Sequence, residues 1–301
     1  MKTIFSVIIF SVLLSCSMFQ EENEYQLIYE FENLDETSQK EKVIEVLSKR
    51  LSNYGLNFKF DSSKSKDILL TIKADTIYKD RIDNLITNRG KLEFWECYKS
   101  KDVLESLLRY DNSLNQGALQ ELVAFPNVPY DPTIFYCSSE NLGVVLENLN
   151  KEAFKSFFDN EFKYLKFLKG QPNDIEVVGF YAVKSNEEDK ALVTGSDITK
   201  AFQTYNYIDK PTISIEMSEE GGKKWEHMTN EAYINNTQIA ITVNDIVYSA
   251  PGVSAGPITG GKSEISGNYT LEEAQDLAAV LSAGDIIPKL KLVKFLERKN
   301  E

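Results

Sequence analysis

The sequence predicts an α+β fold in which helices cover one side of a sheet, and two observations support this. Strand and helix patterns alternate as β-α-β-α-β between residues 25 and 98. A second and more regular group of strands and helices follows residue 175. The first order is typical of α+β sandwiches of the ferredoxin-like kind.

The first group contains three strands and two helices. The strands YQLIYEFE, DILLTIKAD and KLEFWECY show apolar alternation, and the segments between them repeat apolar residues at helical spacing. Ser38 and Glu41 have the spacing of a capping box at the first helix. The strands lie at residues 25–32, 67–75 and 91–98, and the helices at residues 40–54 and 78–87.

Regular patterns weaken in the middle of the chain. Helical stretches at residues 102–110 and 151–158 are separated by the turn-rich FPNVPYDP, whose three prolines interrupt regular structure. We therefore predict a mostly helical insert at residues 99–174.

The last third begins with the strand IEVVGFYAV and continues with the strand PTISIEMS and a helix that starts at Ser218. The strands IAITV and IVYSA flank Asn244 and Asp245, which suit a tight hairpin because both residue types tolerate positive φ. A loop rich in Gly, Ser and Pro leads to ISGNYTLEEAQDLAAVLSAG. There, Thr270 and Glu273 form a capping box, and Gly284 ends the helix.

We predict an export signal at residues 1–15 and a short polar tether at residues 16–24. MKTIFSVIIFSVLLSC has one cation and then an apolar run that is too short for a permanent membrane span. LLSC resembles the lipobox of bacterial lipoproteins, which implies lipidation of Cys16 and a membrane anchor with the domain in the periplasm. The alternative is an ordinary secretory signal, and the sequence does not choose between inner and outer membrane.

The formal net charge is -13, which argues against nucleic acid or anionic membrane surfaces as partners. The basic residues 289–299 are expected to form a solvated end. Cys97 and Cys137 remain after removal of the signal, and an oxidising compartment allows a disulfide between them, although their spacing does not decide it.

Residues for catalysis are scarce. His227 is the only histidine, and its place inside a helix favours a surface or packing role. The acidic pairs Glu219-Glu220 and Glu272-Glu273 fall in first helical turns, where negative charge complements the helix dipole. Because no cysteine and histidine spacing suits zinc and no glycine motif suits phosphate, we predict no catalytic residue, metal or cofactor, and no enzyme.

Several of these segments together resemble one family. VYSAPGVSAGPITGGKSEISGNYTLEEAQDLAAVLSAGDIIPKLKLV resembles the end of the first periplasmic domain of SecD, an accessory subunit of the bacterial Sec translocase. LVTGSDITKAF resembles that family's L-[VT]-G-x-x-[IL]-x-x-A motif, and ISIEMSEEGGKKWEHMT resembles its strand followed by E-G-x-x-[KR]-[FW]. KVIEVLSKRLSNYGL and KLEFWECY resemble its N-terminal base.

The resemblance implies a ferredoxin-like base at residues 25–98 and a head that returns to the base at residues 175–295. It also implies binding of unfolded or exported polypeptide, or docking on Sec translocase components. The family's G-[LI]-D-[LI]-x-G-G entry motif is absent, and no segment matches its later membrane helices. We therefore expect no proton-driven pulling by this chain. The rival hypothesis is a structural envelope lipoprotein that tethers one fixed partner.

Overall fold

The computed structural model describes residues 22–32, 37–61, 67–127, 131–173, 175–286 and 288–299. The helices are α1 (Thr37–Ser52), α2 (Lys79–Thr87), α3 (Ser100–Leu114), α4 (Leu142–Asn150), α5 (Glu152–Glu161), α6 (Glu219–Asn235) and α7 (Leu271–Ala283). The strands are β1 (Asn23–Phe31), β2 (Asn57–Asp61), β3 (Asp67–Ala74), β4 (Leu92–Glu96), β5 (Val123–Ala124), β6 (Thr133–Ser138), β7 (Leu165–Gly170), β8 (Val177–Lys184), β9 (Val193–Thr194), β10 (Ile198–Tyr205), β11 (Pro211–Met217), β12 (Ile239–Val243), β13 (Ile246–Ser249), β14 (Lys262–Ile265) and β15 (Leu290–Arg298).

The two ends of the chain build one ferredoxin-like unit, which we call the base. Its antiparallel sheet has the order β15-β1-β3-β2, and α1 and α2 complete the β-α-β-β-α-β arrangement. The alternating residues of β1 and β3 that face the helices, such as Leu27 and Leu70, are fully buried with Leu47 and Leu51 of α1. The predicted α+β class of ferredoxin-like type is confirmed.

The base differs from the sequence prediction in three places. The sequence does not predict strand β2, because it has only five residues and only two apolar side chains, Phe58 and Phe60, that pack against the core. Strand β4 pairs with β12 and β9 and so lies in another sheet. Residues 289–299 do not form a solvated end, because β15 pairs along its length with β1. Lys291 is exposed between Leu290 and Leu292, which contribute to the core of the base, so the basic composition of β15 hides a half-buried strand.

All remaining elements are inserted between α2 and β15. An eight-stranded sheet has the order β5-β6-β8-β7-β13-β12-β4-β9, and a three-stranded sheet has the order β10-β11-β14. The predicted hairpin joins β12 to β13, and Asn244 and Asp245 both have positive φ, as its tight turn requires. We call the part of this insertion that contains β8 to α7 the head.

Residues 99–174 contribute strands as well as helices. Helix α3 packs on β6 and β8, α4 packs on β6, and α5 packs against α3 and α4. Their shared core is rich in aromatic rings. Phe154, Phe158 and Phe167 lie with ring centroids 4.5–5.9 Å apart. The sequence does not predict strands β6 and β7, because TIFYCS and LKFLKG are short apolar segments next to turns.

Helix α7 lies between the base and the head. The predicted capping box is present, since Thr270 Oγ1 accepts from the Glu273 N–H and the Glu273 carboxylate accepts from the Thr270 N–H. One face of α7 packs on β10 and β11, and the opposite face places Ala279 and Val280 in the core of the base. Its small residues permit this close approach on both sides.

In the part of the chain that the structure describes, no helix is long and apolar enough to cross a membrane.

Candidate functional site

Strand β10 forms an open edge of the head. Among the described residues its one partner strand is β11, with Ala201 opposite Ile215 and Gln203 opposite Ile213. A strand at the edge of a sheet presents backbone N–H and C=O groups that can pair with another extended chain. The β10 edge is therefore a template for strand addition.

The hairpin that joins β10 to β11 carries exposed apolar side chains. Phe202, Tyr205 and Ile208 are about half exposed, and Tyr207 at the tip is 96% exposed. The tip is nevertheless well formed, since the Asn206 side chain accepts from the N–H groups of residues 208 and 210 at 3.0 Å. Exposed apolar side chains clustered within one hairpin mark a candidate contact site for other molecules.

A groove runs between the β10 edge and the base, and we call it the base–head groove. Its volume is about 720 Å³, within the range of sites that enclose ligands. Its floor is α7, one wall is β10, and the other wall is formed by the base at the end of α1 and at α2. The lining residues are Asn53, Tyr54, Arg81, Thr199, Lys200, Ala201, Phe202, Gln203, Gln275, Ala278, Ala279 and Ser282.

A charged cluster joins the base to the floor of this groove. The Arg81 guanidinium donates from Nε to both Asp276 carboxylate oxygens at 2.9 Å, and from Nη2 to Oδ1 at 2.7 Å. The Tyr54 hydroxyl donates to the same carboxylate, and the Arg81 guanidinium lies 4.9 Å from the Tyr54 ring centroid. Hydrogen bonding to Asp276 raises the pKa of Arg81, which keeps it charged.

A buried arginine holds the two segments by which the chain leaves and re-enters the base. Arg50 of α1 is fully buried, and its guanidinium donates to the carbonyl oxygens of Leu85 at 3.0 Å, Arg89 at 3.2 Å and Gly284 at 2.9 Å, as well as to that of Asn88. Burial lowers the pKa of Arg50 to about 10, so the side chain remains a cation at neutral pH. Arg50 thereby links α1 to the segment that leaves the base and to Gly284, which follows α7.

A second cavity of about 220 Å³ lies on the other side of α7. Tyr248 and Tyr269 form one wall, with their ring centroids 6.1 Å apart. The Tyr269 hydroxyl is buried and has no hydrogen-bond partner among the described residues, and burial raises its pKa. A side chain at Gly267 would collide with the Tyr269 ring, since a Cβ there would lie 2.6 Å away. This glycine therefore allows the tyrosine to pack in place.

The structure places His227 and the two acidic pairs, for which the sequence favours surface, packing or helix-dipole roles, on the surfaces of α6 and α7. His227 is exposed on α6, and Glu219 and Glu220 pair with lysines of their own helix. Glu272 is exposed in the first turn of α7. No group of three or more His, Cys, Asp or Glu side chains in the described ranges could hold a metal ion. Cys16 lies outside the described residues.

Cys97 and Cys137 are free thiols, both buried. On neighbouring strands, Cys97 pairs with Val183 and Cys137 pairs with Val178. Those partners are five residues apart on β8, about 17 Å at the rise of a strand, whereas a disulfide needs Cα atoms within about 7 Å. The two cysteines therefore do not pair in this fold. Burial raises the pKa of Cys97 to about 12 and also raises that of Cys137, so both stay protonated.

Sequence reasoning missed the site itself. The β10 hairpin AFQTYNYIDKP has aromatic residues at positions 202, 205 and 207 around an Asn-Tyr-Ile-Asp turn. Such a composition is a recognisable hairpin signal. The groove was not predictable, because its walls come from residues 53–81, 199–203 and 275–282, which only the tertiary fold brings together.

The fold and site thus define a ferredoxin-like base that carries a large inserted head with an open strand edge. Residues 176–287 match the family described as the SecDF P1 head subdomain. Over these residues the chain is similar to the head subdomain of the periplasmic P1 domain of SecDF.

Relatives and solved structures agree with this assignment. Protein translocase subunit SecD of Calditerrivibrio nitroreducens is 26% identical over 255 residues, 84% of this chain and 40% of the relative. Protein translocase subunit SecDF of Thermus thermophilus is 31% identical over 113 residues, 38% of this chain and 15% of the relative. The chain thus spans less than half the length of these relatives.

Two SecDF structures share the fold. The crystal structure of SecDF in a super-membrane-facing form matches 92% of this chain and 30% of its own, with a TM-score of 0.57 and 22% identity. A structure of SecDF, described as a membrane component that enhances protein export, matches 89% of this chain and 98% of its own, with a TM-score of 0.52 and 21% identity. The similarity therefore includes the base as well as the head.

Proposed function

We propose that this chain is a periplasmic, non-catalytic domain that binds unfolded polypeptide during protein export. The observation that best supports this proposal is the base–head groove. It combines the edge of a sheet, apolar side chains and a ligand-sized volume. An extended segment would pair its backbone with β10 and would place side chains over α7. This mode needs no catalytic side chain. The relatives named as translocase subunits support a role in export and an association with Sec translocase components.

Filling the groove is expected to abolish binding. Ser282 is exposed on α7 within the groove, so Ser282→Trp should place an indole where the bound segment would lie. We expect affinity for an uncharged, fluorescently labelled, unstructured peptide to fall at least about tenfold, measured by anisotropy, because a core contact of the interface is blocked.

The matched control is Ser113→Trp, which makes the same replacement at an exposed position of α3, away from the groove. It should leave both affinity and melting temperature unchanged. Equal peptide affinity of the Ser282→Trp and Ser113→Trp variants would refute the groove as the binding site. In cells, crosslinkers at residue 202 should capture many exported polypeptides. Capture of one stoichiometric partner instead would favour the tethering lipoprotein.

We also propose that Cys16 carries the lipid anchor. Each buried CH₂ of an acyl chain contributes about 0.8 kcal/mol, so several chains hold a protein firmly to a bilayer. Replacing Cys16 by serine should abolish incorporation of labelled palmitate and should release the protein from the membrane fraction. An unlabelled wild-type protein in the soluble fraction would contradict this anchor and favour the ordinary secretory signal.

A further inference from the structure

The described side chains that line the base–head groove include cations but no carboxylates, although the chain as a whole is acidic. The formal net charge of the chain is -13, yet among the described residues that line the groove there are two cations, Arg81 and Lys200, and no aspartate or glutamate. The two cations lie on opposite walls, one on the base and one on β10. Each is paired with a carboxylate that does not line the groove, Asp276 for Arg81 and Glu216 for Lys200, so a bound segment would meet cationic hydrogen-bond donors on both sides.

Arg81 is held in position before anything binds. Asp276 fixes its Nε and Nη2 groups, and the ring of Tyr54 supports the guanidinium plane. The side chain is 29% exposed, so part of the guanidinium remains accessible to a ligand. A guanidinium already fixed in position suits a carboxylate acceptor, because little side-chain entropy remains to be lost.

Lys200 adds a second, more mobile charge on the strand edge. Its Nζ lies 3.0 Å from Glu216 on β11, but Glu216 also lies 3.5 Å from Lys262. One carboxylate is therefore shared by two lysines, and positive charge is left over beside the groove. The floor between the cations contains Ala278 and Ala279, whose small side chains leave room for a bulky apolar residue.

We propose that the base–head groove selects extended polypeptide segments in which acidic side chains flank a bulky apolar residue. The apolar residue lies over the alanine floor, and the carboxylates pair with Arg81 and Lys200. This selectivity rests on the polypeptide binding proposed above and names the class of segment that is bound. It also assigns a recognition role to the base, through Arg81 and Tyr54, in addition to the head.

Three labelled peptides with identical apolar residues test this selectivity. Their polar positions carry Glu, Gln or Lys throughout. At low ionic strength the Glu peptide should bind about fivefold more tightly than the Gln peptide, and the Lys peptide should bind most weakly, as expected for two partly exposed ion pairs. At 1 M salt, where the screening length is about 3 Å, the three affinities should converge.

Two variants locate the source of the selectivity. Lys200→Gln should reduce the preference for the Glu peptide over the Gln peptide about twofold. The double variant Arg81→Gln, Asp276→Asn removes the cation without leaving an unpaired carboxylate, and should reduce the preference further. Lys223→Gln, at an exposed lysine of α6 outside the groove, is the control and should change neither value. Melting temperatures confirm that each variant is folded.

The outcomes separate the two proposals. If no peptide binds, the proposed function fails. If all three peptides bind equally and Ser282→Trp still blocks them, polypeptide binding stands and the charge selectivity is refuted. A preference for the Glu peptide that survives both groove variants would also refute the assignment, since the charge would then act from another surface.

Discussion

Replacing Arg50 by alanine is expected to lower the free energy of unfolding by about 3–5 kcal/mol, because four carbonyl oxygens lose a charged donor in the interior. Three of the acceptors belong to the end of α2 and the segment that leaves the base, and Gly284 belongs to the segment that returns. Alanine also leaves an unfilled volume where the side chain was fully buried. In a domain of this size, each kcal/mol corresponds to about 2–4 °C in melting temperature.

The loss of stability should depend on the shape of the guanidinium group as well as on its charge. Arg50→Lys keeps a positive charge but replaces a planar set of donors by one ammonium, which cannot reach all four oxygens, so an intermediate loss is expected. The matched control is Arg109→Ala, also on a helix, whose side chain is 61% exposed and pairs with Glu161. That variant should cost no more than about 1 kcal/mol. Urea unfolding curves in which the Arg50 and Arg109 variants coincide would contradict the proposed role.

The sequence predicted those elements whose signals are local. The capping box at Thr270 and the Asn244-Asp245 hairpin follow from neighbouring residues, and both are confirmed. The ferredoxin-like type was also predicted, although one of its strands, β15, comes from the other end of the chain. A basic segment such as KLKLVKF resembles a solvated tail until a partner strand covers its apolar side.

The groove and the buried arginine depend on contacts between distant segments. Arg50 follows the ordinary pattern of a helix rich in lysine and arginine, and nothing in its neighbourhood indicates that residue 284 lies against it. The separation of Cys97 from Cys137 similarly depends on strand order, which places both cysteines beside β8 at different heights. Sequence separation alone carries no information about either arrangement.

Close packing in the head explains why the segment EEGGKKW has glycine at residue 221. A Cβ at Gly221, in the first turn of α6, would lie 2.7 Å from the Asp197 Cβ and 3.0 Å from the Asp197 carbonyl oxygen. Asp197 cannot move away easily, because its carbonyl accepts from the Ser218 N–H and its carboxylate accepts from the Thr194 N–H and from Lys224. The next residues of the same motif also have structural contacts. Lys224 donates to Asp197, and Trp225 packs edge to face on Phe94.

Gly221→Ala should therefore destabilise the protein by about 1–3 kcal/mol, the range for forcing an extra methyl group into a packed interior. The control is Gly143→Ala in α4, where a Cβ would have no atom within 4 Å and φ is not positive. In that helix, alanine should stabilise the protein by up to about 1 kcal/mol. Urea unfolding thus predicts opposite signs for the same substitution at two helical glycines. Two shifts of the same sign would show that contact with Asp197 is not what requires glycine at residue 221.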